Sequence, residues 1–383
     1  MLTSDPERDG YPSDPESIYM SAGASSGVNT LLHIICAKPE TGILVPIPQY
    51  PLYTATLSVL NARCVPYLLD EASCWGTDIA TIREAHKKAI EAGTDVKAIV
   101  IINPGNPTGA SLTAESIRNV LEFAAEQKLV VMADEVYQSN VFQGEFHSFK
   151  KCLRDLQKAV PEKYDNLELA SLHSISKGMV GECGHRGGYF ELCGFDPEVV
   201  AQVYKFVSIT LCAPVIGQCL VEMMCNPPKE GAPSYALYKQ EWDGIFAGLK
   251  QRATALFEAF KEMEGVECQD PQVCCLLTIP PILPHSLCIR LIRCSQGSMY
   301  LFPTIRLPPG AIAQAKKENR QPDEFYCFRL LDATGVCVVP GSGFGQKEGT
   351  LHFRTTFLAP GTEWVGRIIK FHKDFMDEFR GTS

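Results

Sequence analysis

The chain reads as an α/β protein: a large, doubly wound, mostly parallel sheet domain followed by a smaller α+β domain. Three observations predict this. From about residue 18 to 210, short β-branched runs alternate with helix-period segments. Residues 197–262 are then mainly helical, and from residue 298 short strands mix with helices. The 383 residues, 45% hydrophobic and 21% charged, describe a globular chain long enough for two domains. The expected division is 1–240 and 241–383.

The first helix start is in SAGASSGVNTLL (21–32), where small residues open an apolar periodic stretch. The clearest strands are ILVPI (43–47), KAIVIIN (97–103), LVVMA (129–133), LASLHS (169–174) and GGYFEL (187–192). Between them, residues 113–127 predict a helix. Thr113 is its cap, and Ile117, Val120, Leu121 and Ala124 recur at helical spacing between Glu115 and Glu122. NPPKEGAPS (226–234) is a turn-rich connector between helices. In the C-terminal part, MYLFP, GVCVVP and LHFRTTF predict short strands, with helices around 309–332 and 362–379. VPGSGFG (339–345) lacks the Lys-Ser/Thr of a phosphate loop and reads as a tight turn. One segment fits neither period: residues 270–294 hold four cysteines, and Pro280, Pro281 and Pro284 break their apolar run, which argues against a membrane span.

A net charge of −9 with no concentrated Lys/Arg block excludes nucleic acid or an anionic membrane as main partner. The sixteen cysteines lie in apolar stretches such as LLHIICA and are expected to be reduced. The polar, acidic LTSDPERDGYPSDPES has no targeting character. A cytoplasmic place is expected, with mitochondrion or peroxisome left open because a targeting segment would lie ahead of Met1.

The residues with chemical promise fall at the ends of the predicted strands, where open α/β sheets bind ligands. In HSISKGMVGECGHRGG (173–188), Lys177 ends a hydroxyl-bearing stretch and Arg186 follows beside two glycines. A lysine whose charge is offset by neighbours attacks an aldehyde, and an arginine holds a phosphate; pyridoxal phosphate carries both groups. Asp134 ends a buried strand, where a carboxylate needs a cationic mate such as a pyridinium nitrogen; a helix N-cap is the alternative. Tyr137, three residues on, and Asn106, in NPGNPTG (103–109), are placed to donate to the phenolate oxygen of such a ring. The N–H groups of Ala24 and Ser25 at a helix start, with Ser174 and Arg186, would form a phosphate cup. Tyr50 could lay its ring on the pyridine face or pack in the core. Arg354 interrupts an alternating strand and needs an anion, either a substrate carboxylate or a fixed structural partner. No metal site is expected.

These motifs resemble the fold-type I aminotransferases that depend on pyridoxal phosphate. PIPQYPLY, INPGNPTG, ADEVYQ, HSxSKGxxGECGxRGGY, QGSMYxFP and VVPGSGFGQxEGTxHFR are similar to the alanine branch of that family over nearly the whole chain. The resemblance implies Lys177 as the Schiff-base lysine, Asp134 as pyridinium partner, and Asn106 and Tyr137 as phenolate-oxygen partners. It further implies a phosphate held by Ala24, Ser25, Ser174 and Arg186, Tyr50 stacked on the ring, and Arg354 on the substrate α-carboxylate. The expected reaction is ping-pong transfer between amino acids and 2-oxo acids, L-alanine and 2-oxoglutarate giving pyruvate and L-glutamate, by a homodimer. Glyoxylate as acceptor, a β- or γ-lyase of the same fold and a cofactor-binding protein of little activity are the alternatives. The family carries an N-terminal arm ahead of Met1, and removing most of 270–294 restores its continuous run. A misplaced start, and an untranslated intron or a gene-model error at 270–294, are therefore expected. If the polypeptide exists as written, weak dimerisation and poor activity are expected of it.

Overall fold

The computed structural model describes residues 10–142, 144–269 and 295–381. The atypical segment 270–294, and with it the expectation of an untranslated intron, lies outside the described residues.

Seven strands build the main sheet: β1 (Ile18–Ser21), β2 (Thr41–Ile47), β3 (Arg63–Leu68), β4 (Asp95–Ile102), β5 (Val130–Asp134), β6 (Leu169–Ser174) and β7 (Gly188–Cys193). Their spatial order is β3-β2-β4-β5-β6-β7-β1. The first five in that order run parallel, while β7 is antiparallel to β6 and β1 antiparallel to β7. Helices cover both faces, as the alternation of short β-branched runs and helical segments predicts.

The sheet holds because its strands are apolar on both sides. In β4, Ile99 and Ile101 belong to one core cluster with Leu44, Val131 and Leu169, and Val100 to another with Ile43, Met132, Leu172 and Phe190. Successive side chains point to opposite faces, and each such aliphatic side chain contributes roughly 1.5–3 kcal/mol when fully buried. Helix α1 (Ala24–Ile35) brings Val28, Leu31 and Leu32 to the second cluster. Helix α2 (Ala114–Gln127) brings Ile117, Val120, Leu121 and Ala124 to the first. Thr113 caps α2 by accepting from the Ser116 amide at 3.1 Å, and Lys128 ends it in the left-handed conformation at φ 54°.

Two strands go beyond the sequence expectation. β3 carries Pro66, which is admissible because β3 is an edge strand, and its burial alternates. β1 is four residues long and closes the opposite edge.

Helices α3 (Pro197–Thr210), α4 (Val215–Cys225) and α5 (Tyr235–Lys261) follow, and Asn226–Ser234 links the last two as the turn-rich connector predicts. The C-terminal part packs around Leu256 and Phe260 of α5, Phe325 and Tyr326 of α6 (Pro322–Thr334), and Phe371 and Phe375 of α7 (Glu363–Phe379), and Phe142 joins the same cluster. Its strands β8 (Tyr300–Leu301), β9 (Val339–Pro340) and β10 (Phe353–Thr356) form an antiparallel sheet with β10 in the centre. Gly341–Phe344 is a short 3₁₀ turn, in agreement with the tight-turn expectation. The expectation of uniformly reduced cysteines needs one correction. Cys152, Cys183 and Cys327 are unbridged, but Cys74 is disulfide-bonded.

Candidate active site

The carboxyl ends of β4, β5 and β6 lie in one row, because Ile102 pairs with Asp134 and Asp134 with Leu172. The antiparallel pair extends that row, since Ser174 sits opposite Gly188 and Gly188 opposite Ser21. The ladder therefore delivers Asn106, Asp134, Ser174, Lys177, Arg186 and the start of α1 to a single edge of the sheet. No sequence proximity links them; strand register does.

At the β1 end, Gly23 precedes α1 at φ 82°, ψ 164°, and no side chain caps the helix. The first amides of α1 are thus left for an anion, which the helix dipole favours. Arg186 enters this corner in the left-handed conformation, φ 53°. Its Nη2 donates to the Ala22 carbonyl at 2.8 Å and to Ser25 Oγ at 3.1 Å, while Nη1 donates to the Cys183 carbonyl at 3.0 Å. Ser174 is buried, and its hydroxyl donates to the Gly187 carbonyl at 3.0 Å. Ala24, Ser25, Ser174 and Arg186 are thus brought together as a cup.

In the middle of the row, Asp134 is 6% exposed and Tyr53 donates its hydroxyl to Oδ2 at 2.8 Å. The Val136 amide donates to Oδ1 at 3.4 Å, and turns rather than a helix come after it, so Asp134 is no helix cap. Burial raises its carboxyl above the usual range, against the Tyr53 and Val136 hydrogen bonds and the Lys177 charge. A buried carboxylate of this kind fits the protonated nitrogen of a pyridine ring. Tyr50, 45% exposed, stands at the end of β2 with its ring uncovered.

Asn106 and Tyr137 are joined: Asn106 Nδ2 donates to the Tyr137 hydroxyl at 3.2 Å. Arg354 of β10 reaches the same point, donating from Nη1 to Asn106 Oδ1 at 3.1 Å. Its described partners are this amide and the rings of Tyr300 and Phe344, none of them anionic, so among the described residues no salt bridge holds it. Lys177 Nζ donates to the Tyr300 hydroxyl at 3.4 Å and lies 5.5 Å from the Tyr137 ring centre. Burial works to raise the Tyr300 phenol, yet the charges of Lys177 and Arg354, with hydrogen bonds from Tyr137 and Lys177, hold it below its ordinary value. Burial foremost, then the charge of Tyr300, pushes the Tyr137 phenol well up.

Two residues of this centre escape the sequence reading. Tyr53 lies within PIPQYPLY and Tyr300 within QGSMYLFP. The available signal was a second tyrosine in the motif of Tyr50 and, for Tyr300, the one tyrosine of a motif already singled out.

The family model "Aminotransferase class I and II" matches residues 5–365. The mitochondrial alanine aminotransferase of Saccharomyces cerevisiae is 50% identical over 97% of this chain and 59% of its own length. A second protein of that yeast, named an inactive alanine aminotransferase, is 46% identical over 97% of this chain and 69% of its own. This chain therefore spans less than two thirds of the length of the first of these relatives. Among solved structures, the alanine aminotransferase from Pyrococcus furiosus superposes with a TM-score of 0.76 at 24% identity, covering 98% of this chain and 79% of that one. That likeness bears on fold and establishes the fold-type I arrangement of the sheet. With the match covering most of its length and the site at the expected sheet edge, the chain belongs to the class I and II aminotransferases.

Proposed function

We propose that this protein transfers the amino group of L-alanine to 2-oxoglutarate with pyridoxal 5'-phosphate as cofactor. The observation that carries the proposal is that the half-buried Arg354 is bonded to Asn106 and Asn106 to Tyr137, while Lys177 donates to Tyr300 and its charge acts on the buried Asp134. When bound, pyridoxal phosphate supplies an aldehyde that takes up an amino group and a ring that draws electrons from the reacting carbon.

The chain's own residues supply the rest. Arg186, Ser174, Ser25 and the first amides of α1 hold the phosphate. Asp134 offers its carboxylate to the ring nitrogen, Asn106 and Tyr137 donate to the phenolate oxygen, and Tyr50 covers a ring face. Arg354 receives the α-carboxylate through its planar fork, which orients the Cα–H bond. Lys177 anchors the aldehyde and, once displaced by substrate, takes and returns the α-proton at Nζ.

A homodimer is proposed as the working form. Tyr204, Ile209, Leu211, Val215 and Ile216 of the α3–α4 region are all exposed, and large apolar side chains left so within thirteen residues of one another suit a surface that a second copy covers. Among the described residues no helix is long and apolar enough to cross a membrane. The proposed compartment is cytoplasmic, with the mitochondrion of the yeast relative's name as the alternative; a fluorescent fusion of the full-length protein tells them apart.

The deciding experiment is an absorbance spectrum of the purified protein loaded with cofactor, before and after L-alanine. A band that shifts with alanine and is missing in Lys177→Ala supports the proposal; a band indifferent to alanine overturns it. Faster turnover with glyoxylate than with 2-oxoglutarate would move the chain to the glyoxylate-using branch.

A further inference from the structure

Arg354 is held in an unusually complete way for a group that must receive a ligand. Its Cζ lies 4.2 Å from the ring centre of Tyr300 and 4.8 Å from that of Phe344, and Nη1 is tied to Asn106. A guanidinium recognises a carboxylate through two parallel N–H bonds, so the orientation of its plane decides whether the fork meets its ligand. Aromatic faces are suited to set that plane, because they attract the cation without occupying its N–H groups.

Of the two rings, Phe344 belongs to a separate apolar cluster with Trp75, Ala110 and Phe302. Tyr300 is different. Its backbone is fixed in register with β10, where it faces Thr356, two residues beyond Arg354. Its hydroxyl accepts from Lys177 Nζ at 3.4 Å, and its ring stands edge-on to Tyr137 with centres 5.9 Å apart. One side chain therefore touches the receiver of the carboxylate and the amine that acts at Cα. These two groups come from different parts of the fold, Lys177 after β6 of the main sheet and Arg354 from the central strand of the C-terminal sheet.

We propose that Tyr300 is a positioning residue: its ring sets the plane of the Arg354 guanidinium, and its hydroxyl holds Nζ of Lys177 at the matching distance. An α-amino acid is then presented by its carboxylate with its Cα at the lysine. The inference rests on the aminotransferase reading and adds a residue that couples its two working groups.

The test uses the cofactor-loaded full chain and propionate, a carboxylate without amino or keto group, as the binding probe. Calorimetry gives its Kd for wild type, Tyr300→Phe, Tyr300→Leu and Tyr300→Met. With the ring kept, Tyr300→Phe is expected to hold the propionate Kd within about twofold while kcat for L-alanine falls about tenfold with little change in KM. With the ring lost, both Tyr300→Leu and Tyr300→Met are expected to raise the propionate Kd, and KM, about tenfold. Met is unbranched and fills irregular space, so it replaces Leu if the latter fails to fold. Propionate binding in a folded ring-less variant equal to wild type overturns the ring's role, and an unaltered kcat in Tyr300→Phe overturns the hydroxyl's. A wild-type chain that shows no alanine-sensitive band instead sinks the aminotransferase reading itself, whatever the variants do.

Discussion

The hydroxyl of Tyr53 donates to Oδ2 of Asp134 at 2.8 Å, and both side chains are buried. Burial, reinforced by the Asp134 charge, pushes the Tyr53 phenol well up, so it stays a donor at every working pH. Tyr53→Phe removes a hydrogen bond to a charged group, worth about 1.5–3 kcal/mol. Cofactor affinity, measured by equilibrium dialysis, is expected to fall by about tenfold or more.

Asp134 itself couples site and stability. Its folded pKa lies above the unfolded one, so the stabilising protonated state is fully present below the unfolded value and lost as pH rises through the folded value. In the cofactor-free protein, Asp134→Asn is therefore expected to unfold at higher temperature than wild type at pH 7, with the gap closing toward pH 4. Added pyridoxal phosphate should reverse the order at pH 7, since only the carboxylate pairs with a cationic ring.

Gly23 has φ 82°, and a Cβ there would stand 2.4 Å from Arg186 Nη2. Gly23→Ala is expected to cost about 1–3 kcal/mol in urea unfolding through backbone strain alone. Because the guanidinium must also move out of the cup, cofactor affinity should fall further than in a Ser25→Ala variant, a comparison that fluorescence titration makes directly.

Lys150 Nζ meets Glu191 Oε1 at 2.8 Å with the lysine side chain 1% exposed, and Nζ also donates to Ser13 Oγ. Glu191→Gln strands a buried charge and is expected to cost about 3–5 kcal/mol in denaturant unfolding. The double change Lys150→Met with Glu191→Leu should recover most of that loss. A single variant as stable as wild type would contradict the ion-pair account.

His372 is buried between Tyr326 and the Glu264 carbonyl, to which Nε2–H donates at 2.8 Å. Burial lowers its pKa below the ordinary 6.5, against the Glu264 hydrogen bond. With a depressed folded value, stability is present above pH 6.5 and lost as pH falls through the folded value. Urea midpoints should drop from pH 7 toward pH 5, and His372→Gln should flatten that slope.

Much of the architecture was legible in the residues. The five central strands announced themselves because continuous apolar runs suit positions buried on both faces, and α2 because Thr113 and a clean period mark it. β1 and β3 were less visible: β1 is only four residues long, and β3 is largely exposed and carries Pro66. The site was legible where a residue type is costly without a ligand, as with Asp134 and Arg354. Tyr53 and Tyr300 were hidden because tyrosine is equally at home in a core, and their partners lie 81 and 123 residues away in sequence.

The pairing of β1 with β7 has an outcome for the life of the molecule. Ser21 and Gly188 are neighbours only once that last antiparallel edge has closed, and a Cβ on Gly188 would meet the Gly23 carbon and the His173 oxygen, both at 2.8 Å. A phosphate held there, as proposed, would recognise the finished sheet and have no counterpart in an unzipped chain. Occupancy at about 100 times Kd would add about 2.7 kcal/mol to the folded state. On the proposed function, cofactor supply would then set how much of this protein escapes proteolysis, as well as how fast it turns over substrate.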